Sequence, residues 1–441
     1  MNRPLTRRSF LKSSAVLAGS VLAFPYVSGR NVLGANNRLN IAGIGIGGKG
    51  RSDILNCDSE NIVALCDVDT LALDKMSANF PAAKRYFDWR VMFDEMGKSI
   101  DAVTVSTPDH MHFLPAMRAI KEGKHVYCQK PLTHTVWEAR ELAKAARRAG
   151  VATQMGNQGI SHPRVRRDAE LLKAGVLGDI VEFHCWTDRP GEWWLQGLQK
   201  PTEFPPVPDT LKWDLWLGGA AARPYSPLYA PKGWRGWWDF GTGAIGDMGC
   251  HLLNTLTLVK DIRDPVRIEG SGEGQTEVSG PTSSHITWQF PARDGEPAWK
   301  MHWYDGGRKP PADLFPGQVY TNNGQIVIGT KDVFYSRGYN GGGFFKSGAT
   351  YQDFAHIPET LPKTQNWDRN HNEEWIAACK GGPKTYSNFD VAGPVTEVVL
   401  LGQVALRAQA PIEWNAKRMK VTNVKSANRF IRSKYRKGWA V

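Results

Sequence analysis

"LNIAGIGIGGKG", residues 39–50, is the stretch on which the fold turns. A β-branched, apolar run ends in glycines, and "GGKGRSDILNC" behind it can open a helix, so a strand, a tight turn and a helix are predicted in succession. Two registers of G-x-G-x-x-G overlap, Gly43/Gly45/Gly48 and Gly45/Gly47/Gly50; the second leaves "LNIAGI" as an uninterrupted strand and is preferred. Such a turn needs glycine because it is tight, because backbone amides must approach a pyrophosphate, and because the helix packs closely on the strand. "NIVALCDVD" reads as the next strand, and Asp67 at its end stands at about the 20-residue offset where an acid accepts from the adenine ribose hydroxyls. The bound group is then NAD, since a 2′-phosphate sits badly against a carboxylate, while Lys49 and Arg51 leave NADP open.

Outward from this loop, "KRYFDWRVM", "IDAVTVSTP", "KHVYCQKP" and "VATQMG" read as further strands. The segment "TVWEARELAKAARRAG", closed by Gly150, reads as a helix between the last two. Strands alternating with helices predict a doubly wound parallel sheet over residues 36–155. The texture then changes. "DIVEFHCWTD", "VRIEGSGEG", "SHITWQF", "WKMHWYDGG" and "GQIVIGTKDVFYS" alternate with period two between glycine and proline turns, which predicts an antiparallel sheet in a second domain over 156–441. "NHNEEWIAACKGG" and "AGPVTEVVLLGQVALRAQ" read as helices able to pack on either domain.

The N-terminus has the plan of a cleavable export signal. "LTRRSFLKSS" (5–14) resembles the twin-arginine consensus and is followed by a short apolar stretch to Pro25, so residues 1–35 form a signal region and the mature protein is expected outside the cytoplasm, carried there by the twin-arginine machinery. No later stretch reads as a membrane span, and no stable anchor is expected. The formal charge of +12 includes five N-terminal cations, leaving +7 for a mature chain, and the short basic tail "RFIRSKYRKGW" lacks the reading module that nucleic-acid binding demands. Six scattered cysteines form no C-x-x-C pair, and no metal site is expected.

"STPDHMH", "GKHVYCQKP" and "WWDFGTGAIGDMGCH" occur in that order, with "QMGNQG", "LKAGVLGDI" and "NEEWIAACKGG" as further landmarks. From about Arg38 onward the chain resembles the Gfo/Idh/MocA oxidoreductase family. The resemblance implies an N-terminal Rossmann domain followed by an open-faced, mainly antiparallel sheet, with substrate held between sheet and nicotinamide. By position, Lys130 is the lysine of the family's Glu-Lys-Pro motif, and Asp247 and His251 are its D-x-x-x-H pair.

The chemistry fits those residue types. Oxidising a carbinol requires a base for the hydroxyl proton, which suits His251, and an ammonium beside the same oxygen, which suits Lys130. Asp247, four residues before His251, shares its helix face and can orient the imidazole or hold a second hydroxyl. Singly, each residue has a plainer reading as a surface lysine, a core histidine or a helix cap; as an ordered set behind a dinucleotide loop, the catalytic reading prevails. Thr107 and Pro108 match the family's cofactor-contacting turn, as does Gln129, which stands where the motif has glutamate. Its amide can hydrogen-bond ribose but cannot act as a base, and the exchange removes a counter-ion expected beside Lys130.

His112 and Asn157 are possible substrate contacts, with capping, packing or turn roles as alternatives. Eight tryptophans fall between Trp186 and Trp238. Most are assigned to packing or a subunit interface, and one or two of Trp193, Trp194, Trp237 and Trp238 to the wall of a sugar pocket. The expected protein is an NAD(P)-dependent oxidoreductase acting on a sugar, polyol or glycoside with a tightly held cofactor, in a homo-oligomer. The alternatives are a redox-neutral NAD-dependent glycoside hydrolase and a cofactor-retaining pseudoenzyme.

Overall fold

The computed structural model describes residues 38–338 and 341–440. The expected signal region, residues 1–35, lies outside the described residues. Six parallel strands, β1 (Asn40–Ile44), β2 (Asn61–Cys66), β3 (Lys84–Tyr86), β4 (Ala102–Val105), β5 (His125–Cys128) and β6 (Thr153–Met155), form one sheet in the order β3-β2-β1-β4-β5-β6. The order reverses between β1 and β4, which places a ligand crevice beyond their carboxyl ends. Alternate residues feed two cores. Ile41, Leu65 and Tyr127 face one side, while Ala42, Val103 and Val126 face the other.

The third strand is shorter than the β-rich run "KRYFDWRVM" predicts. Asp88 accepts from the amide of Arg90 and caps the helix Trp89–Met96, so capping chemistry overrides strand propensity there. The helix Val136–Ala149 behaves as its sequence predicts. Thr135 and Glu138 form a capping box, and Gly150 closes it at φ 66°.

The second sheet contains β7 (Ile180–Trp186), β8 (Arg267–Glu273), β9 (Ser283–Phe290), β10 (Trp299–Asp305), β11 (Gly324–Gly329), β12 (Val333–Arg337), β13 (Gly343–Phe345), β14 (Ile412–Asn415) and β15 (Lys420–Val421). Its order is β13-β12-β11-β7-β10-β9-β8-β14-β15. Among the described residues of this sheet, only β7 and β10 pair in parallel; the remaining neighbours are antiparallel, as the period-two pattern predicts.

Both C-terminal helices complete the first domain. Trp375 and Ile376 of the helix Trp367–Cys379 enter the core beside Ile41 and Tyr127, and His371 binds the carbonyl of Met155 through Nε2 at 2.8 Å. The helix Phe389–Ala408 packs on the helix Val136–Ala149 and, on its other side, beneath β8 and β9, where Trp288 donates to the carbonyl of Val398. By length and composition this helix could cross a membrane, contrary to the expectation that no later segment qualifies. It is instead the buried beam between two layers, with Val398, Val399 and Leu401 fully enclosed. The six cysteines are free.

Candidate active site

Two glycines of the preferred register meet tight steric limits. Gly45 has φ +76°, and a Cβ there would meet the backbone of Ser106 and Thr107 at 2.8 Å. A Cβ on Gly50 would lie 1.8 Å from the carbonyl oxygen of Gly45, so the helix Gly48–Leu55 can approach the turn only without a side chain. Gly47 is the N-cap of that helix with no side-chain cap, and its first turn carries no acid. Uncapped amides at the positive end of a helix suit a pyrophosphate. Asp67 shapes the loop. Its Oδ2 accepts from the amides of Ile46 (2.8 Å) and Gly47 (3.2 Å), and its Oδ1 from Asp69 (3.0 Å). Burial pushes the Asp67 carboxyl above its ordinary value, against the lowering by these three amides.

The β4 turn packs against this loop, and Thr107 leaves its Oγ1 buried without a hydrogen-bond partner. A glycine cradle and an unmet hydroxyl fit a dinucleotide. Gly45, Gly47, Gly50, Asp67, Thr107 and Pro108 therefore sit together, at the switch point of the sheet.

Gln129 faces the same region from inside. Its Nε2 donates to Asp53 Oδ2 at 2.8 Å, Ser106 Oγ donates to the same oxygen at 2.7 Å, and Lys49 Nζ lies 3.0 Å from Asp53 Oδ1. Asp53 is fully buried on the helix Gly48–Leu55. The amide thus donates to this carboxylate, a bond that an ionised glutamate could not make. Gln129→Glu should set two carboxylates against each other and cost on the order of 3 kcal/mol, read as a lower Tm. Adding Asp53→Asn should recover most of the loss, a coupling that a double-mutant cycle measures.

Lys130 reaches across to the second domain. Its Nζ donates to Asp247 Oδ1 at 2.8 Å and to the Asp247 carbonyl at 3.0 Å. The counter-ion of Lys130 is therefore Asp247, and the exchange at position 129 does not leave the lysine without one. Two arginines that the sequence reading missed complete the cluster: Arg235 Nε lies 3.4 Å from Asp247 Oδ1 and Arg189 Nε 3.6 Å from Oδ2. Burial alone would raise the Asp247 carboxyl, but Lys130, Arg235 and Arg189 outweigh it and hold the group well below the usual carboxylate range. His251 follows one turn later on the helix Gly243–Leu252 and is buried. Burial, joined by the Lys130 charge, drives its imidazole well below the ordinary value, with Asp247 only partly opposing. The imidazole of His251 thus lies one helical turn from a carboxylate that faces three cations.

Asp109 aligns the two halves. Its Oδ2 accepts from the amide (3.0 Å) and hydroxyl (2.6 Å) of Thr242, the residue that opens the helix carrying Asp247 and His251. Burial pushes its carboxyl up to about 7.

Three expected substrate contacts take structural positions instead. His112 is buried with Nδ1 2.8 Å from the Pro131 carbonyl and Nε2 2.8 Å from the Thr107 carbonyl, so it clamps the two turns that flank Lys130 and the cofactor crevice. Asn157 donates to Asn254 Oδ1 at 2.8 Å and accepts from Ser387 at 2.5 Å, tying β6 to both later helical regions. Trp237 is buried among Trp213, Trp216, Tyr229 and Phe240, and its indole N–H donates to the Leu228 carbonyl at 3.0 Å. Trp238 lies against a separate cavity of about 1190 Å³ that also touches His134, Arg407 and Lys434 and is lined by none of Lys130, Asp247 or His251. Trp193, one of the four candidates, does meet the charged cluster, and Trp234 joins it there. Trp193, 59 % exposed, stacks on Arg189 at 4.1 Å, and Trp234 on Arg235 at 4.3 Å.

A Rossmann sheet with an uncapped glycine turn, joined to a sheet domain that supplies a buried histidine and a paired carboxylate, defines a nicotinamide-dependent oxidoreductase. Residues 38–157 match the family model described as "Oxidoreductase family, NAD-binding Rossmann fold", and residues 164–295 the one described as "Oxidoreductase family, C-terminal alpha/beta domain". The chain belongs to the Gfo/Idh/MocA family, and its cofactor is NAD.

It is 23 % identical over 340 residues to the 1-carboxy-3-chloro-3,4-dihydroxycyclohexa-1,5-diene dehydrogenase of Comamonas testosteroni, covering 71 % of this chain and 76 % of that one. It is 28 % identical over 226 residues to the 1,5-anhydro-D-fructose reductase of Ensifer adhaerens, covering 47 % of this chain and 56 % of that one. Among solved structures, the aldose-aldose oxidoreductase of Caulobacter crescentus superposes with a TM-score of 0.55 at 15 % identity, over 86 % of this chain and 100 % of that one. That likeness extends the fold assignment to both sheets.

Proposed function

We propose that this oxidoreductase acts on a sugar, polyol or glycoside hydroxyl, with Lys130, His251 and Asp247 as its catalytic residues. The observation that carries the proposal is the Lys130–Asp247 ion pair at 2.8 Å, which joins the end of β5 to the helix bearing His251. Relatives named for anhydrofructose and aldose chemistry support a carbohydrate substrate.

The roles follow from the charges. His251, neutral, takes the proton from the substrate hydroxyl. Lys130 donates a hydrogen bond to the same oxygen as negative charge develops there, in a setting where water is largely excluded. Asp247, held ionised by its three cations, fixes the Lys130 ammonium and orients the imidazole four residues on. Gly45, Gly47 and Gly50 let the backbone approach the pyrophosphate, Asp67 shapes that turn and takes the ribose, and Thr107 and Pro108 border the nicotinamide. When bound, the nicotinamide supplies the two-electron acceptor for the hydride lost from the carbinol carbon.

The proposal extends to the leader. A twin-arginine signal at residues 5–14 would send the protein out folded, with cofactor loaded beforehand, to an extracytoplasmic site where free NAD is scarce. Tight retention of the cofactor in a homo-oligomer is the form expected there. The test is to purify the mature protein, record the absorbance of retained nicotinamide and titrate it with sugars and aryl glycosides. Reduced nicotinamide that appears and persists is the expected result. Protein that emerges without cofactor and binds NAD only weakly would refute retention, and aglycone release without net reduction would refute the dehydrogenase reading.

A further inference from the structure

Along β7 and β10, alternate residues point to opposite sides of the sheet. Phe183, Cys185, Met301 and Trp303 enter the core, while Glu182, His184 and His302 share the other face. His184 and His302 are register partners across the parallel pair, and Glu182 lies two residues before His184 on the same strand.

The three side chains converge. His184 Nε2 and His302 Nε2 each lie 3.0 Å from the same oxygen, Glu182 Oε1. Neither contact has the alignment of a hydrogen bond, and both Nε2 atoms are buried without a hydrogen-bond partner. His184 is only 3 % exposed. The opposite edge of each ring is already engaged: His184 Nδ1 meets the Tyr304 hydroxyl at 3.1 Å, and His302 Nδ1 meets the Thr287 hydroxyl at 3.0 Å. A hydroxyl on Nδ1 fixes the ring and turns Nε2 toward a common point, which is how second partners orient metal-bound histidines.

We propose that Glu182, His184 and His302 form a binding site for a divalent transition-metal cation of the zinc type. Two imidazole nitrogens and one carboxylate oxygen are ligands that zinc and cobalt accept, and the ligating atoms lie within 4.8 Å of one another. The histidine rings are parallel, with centroids 4.6 Å apart, so the ion closes the site by tilting each ring toward the shared oxygen. The half-exposed Glu182 leaves the remaining position to water. The ion serves as a clip between β7 and β10, the one parallel junction in the second sheet, and takes no part in the oxidoreductase reaction. Cysteine spacing gives no sign of it, because its ligands are an E-x-H on one strand and a histidine on another.

The test uses untagged full-length protein, stripped with a chelator and titrated with Co²⁺ and then Zn²⁺. One Co²⁺ per chain with visible ligand-field bands, displaced by Zn²⁺, and a Tm raised by Zn²⁺ are the expected results. Glu182→Gln and His302→Gln should each weaken binding more than about 10-fold. Glu182 is a partly exposed side chain, so Glu182→Gln keeps the fold and carries the test alone if His302→Gln does not. Absence of the bands, or Zn²⁺ affinity unchanged in Glu182→Gln, overturns the proposal and leaves the three residues as an ordinary polar ladder.

Discussion

Lys130→Ala should lower the rate at which substrate reduces the bound cofactor by about 10²–10³-fold, the effect typical of removing one donor from a developing oxyanion. The reason lies in what remains. Asp247 keeps Arg235 at 3.4 Å and Arg189 at 3.6 Å, so the carboxylate is not abandoned and the helix Gly243–Leu252 stays in place. The missing ammonium is the one assigned to the substrate oxygen in the proposed mechanism. Single-turnover absorbance separates this from a binding defect: the rate constant falls while the sugar concentration giving half the maximum rate changes little. A variant that reduces its cofactor at the normal rate would remove Lys130 from the chemistry.

His251→Asn should cost about 10²–10⁴-fold, the range for a positioned general base, and should also change the pH profile. In the native protein, burial and then the Lys130 charge hold the imidazole below its ordinary value. The sign follows from that direction. A base with a depressed value stays unprotonated as pH falls through the usual histidine range, so activity persists through that range and declines only at lower pH. The asparagine variant should lose this acidic decline altogether. An acidic limb centred at the ordinary histidine value, or one retained in His251→Asn, would assign the base to another group.

Much of this architecture is legible in the sequence because its signals are local. The glycine turn, the β-branched runs and the capping box at Thr135 each act within a few residues, and Asp247 with His251 is a one-turn spacing. The third strand reads too long because Asp88 ends it by a single side-chain contact. What escapes is whatever depends on distant partners. Gln129 looks like a lost carboxylate until Asp53, a helix residue far along the chain, proves to need its amide. Arg189 and Arg235 belong to no motif, and only the folded chain brings them to Asp247. Trp237 and Trp238 carry the same residue type as Trp193 and Trp234, and only the three-dimensional packing separates those in a core or a remote cavity from those stacked on the cations.

The helix Phe389–Ala408 sets a schedule for biogenesis. It is translated after every strand of the nucleotide-binding sheet, yet it seals the flank of the helix Val136–Ala149 and the underside of β8 and β9. A nascent chain that has emitted the whole nucleotide-binding half still lacks the surface against which that half closes. Trp375 imposes the same delay on the opposite face. Closure of the nucleotide-binding half and cofactor capture thus wait for residues 389–408, and a ribosome stalled before residue 389 should yield a protease-sensitive chain with no nicotinamide.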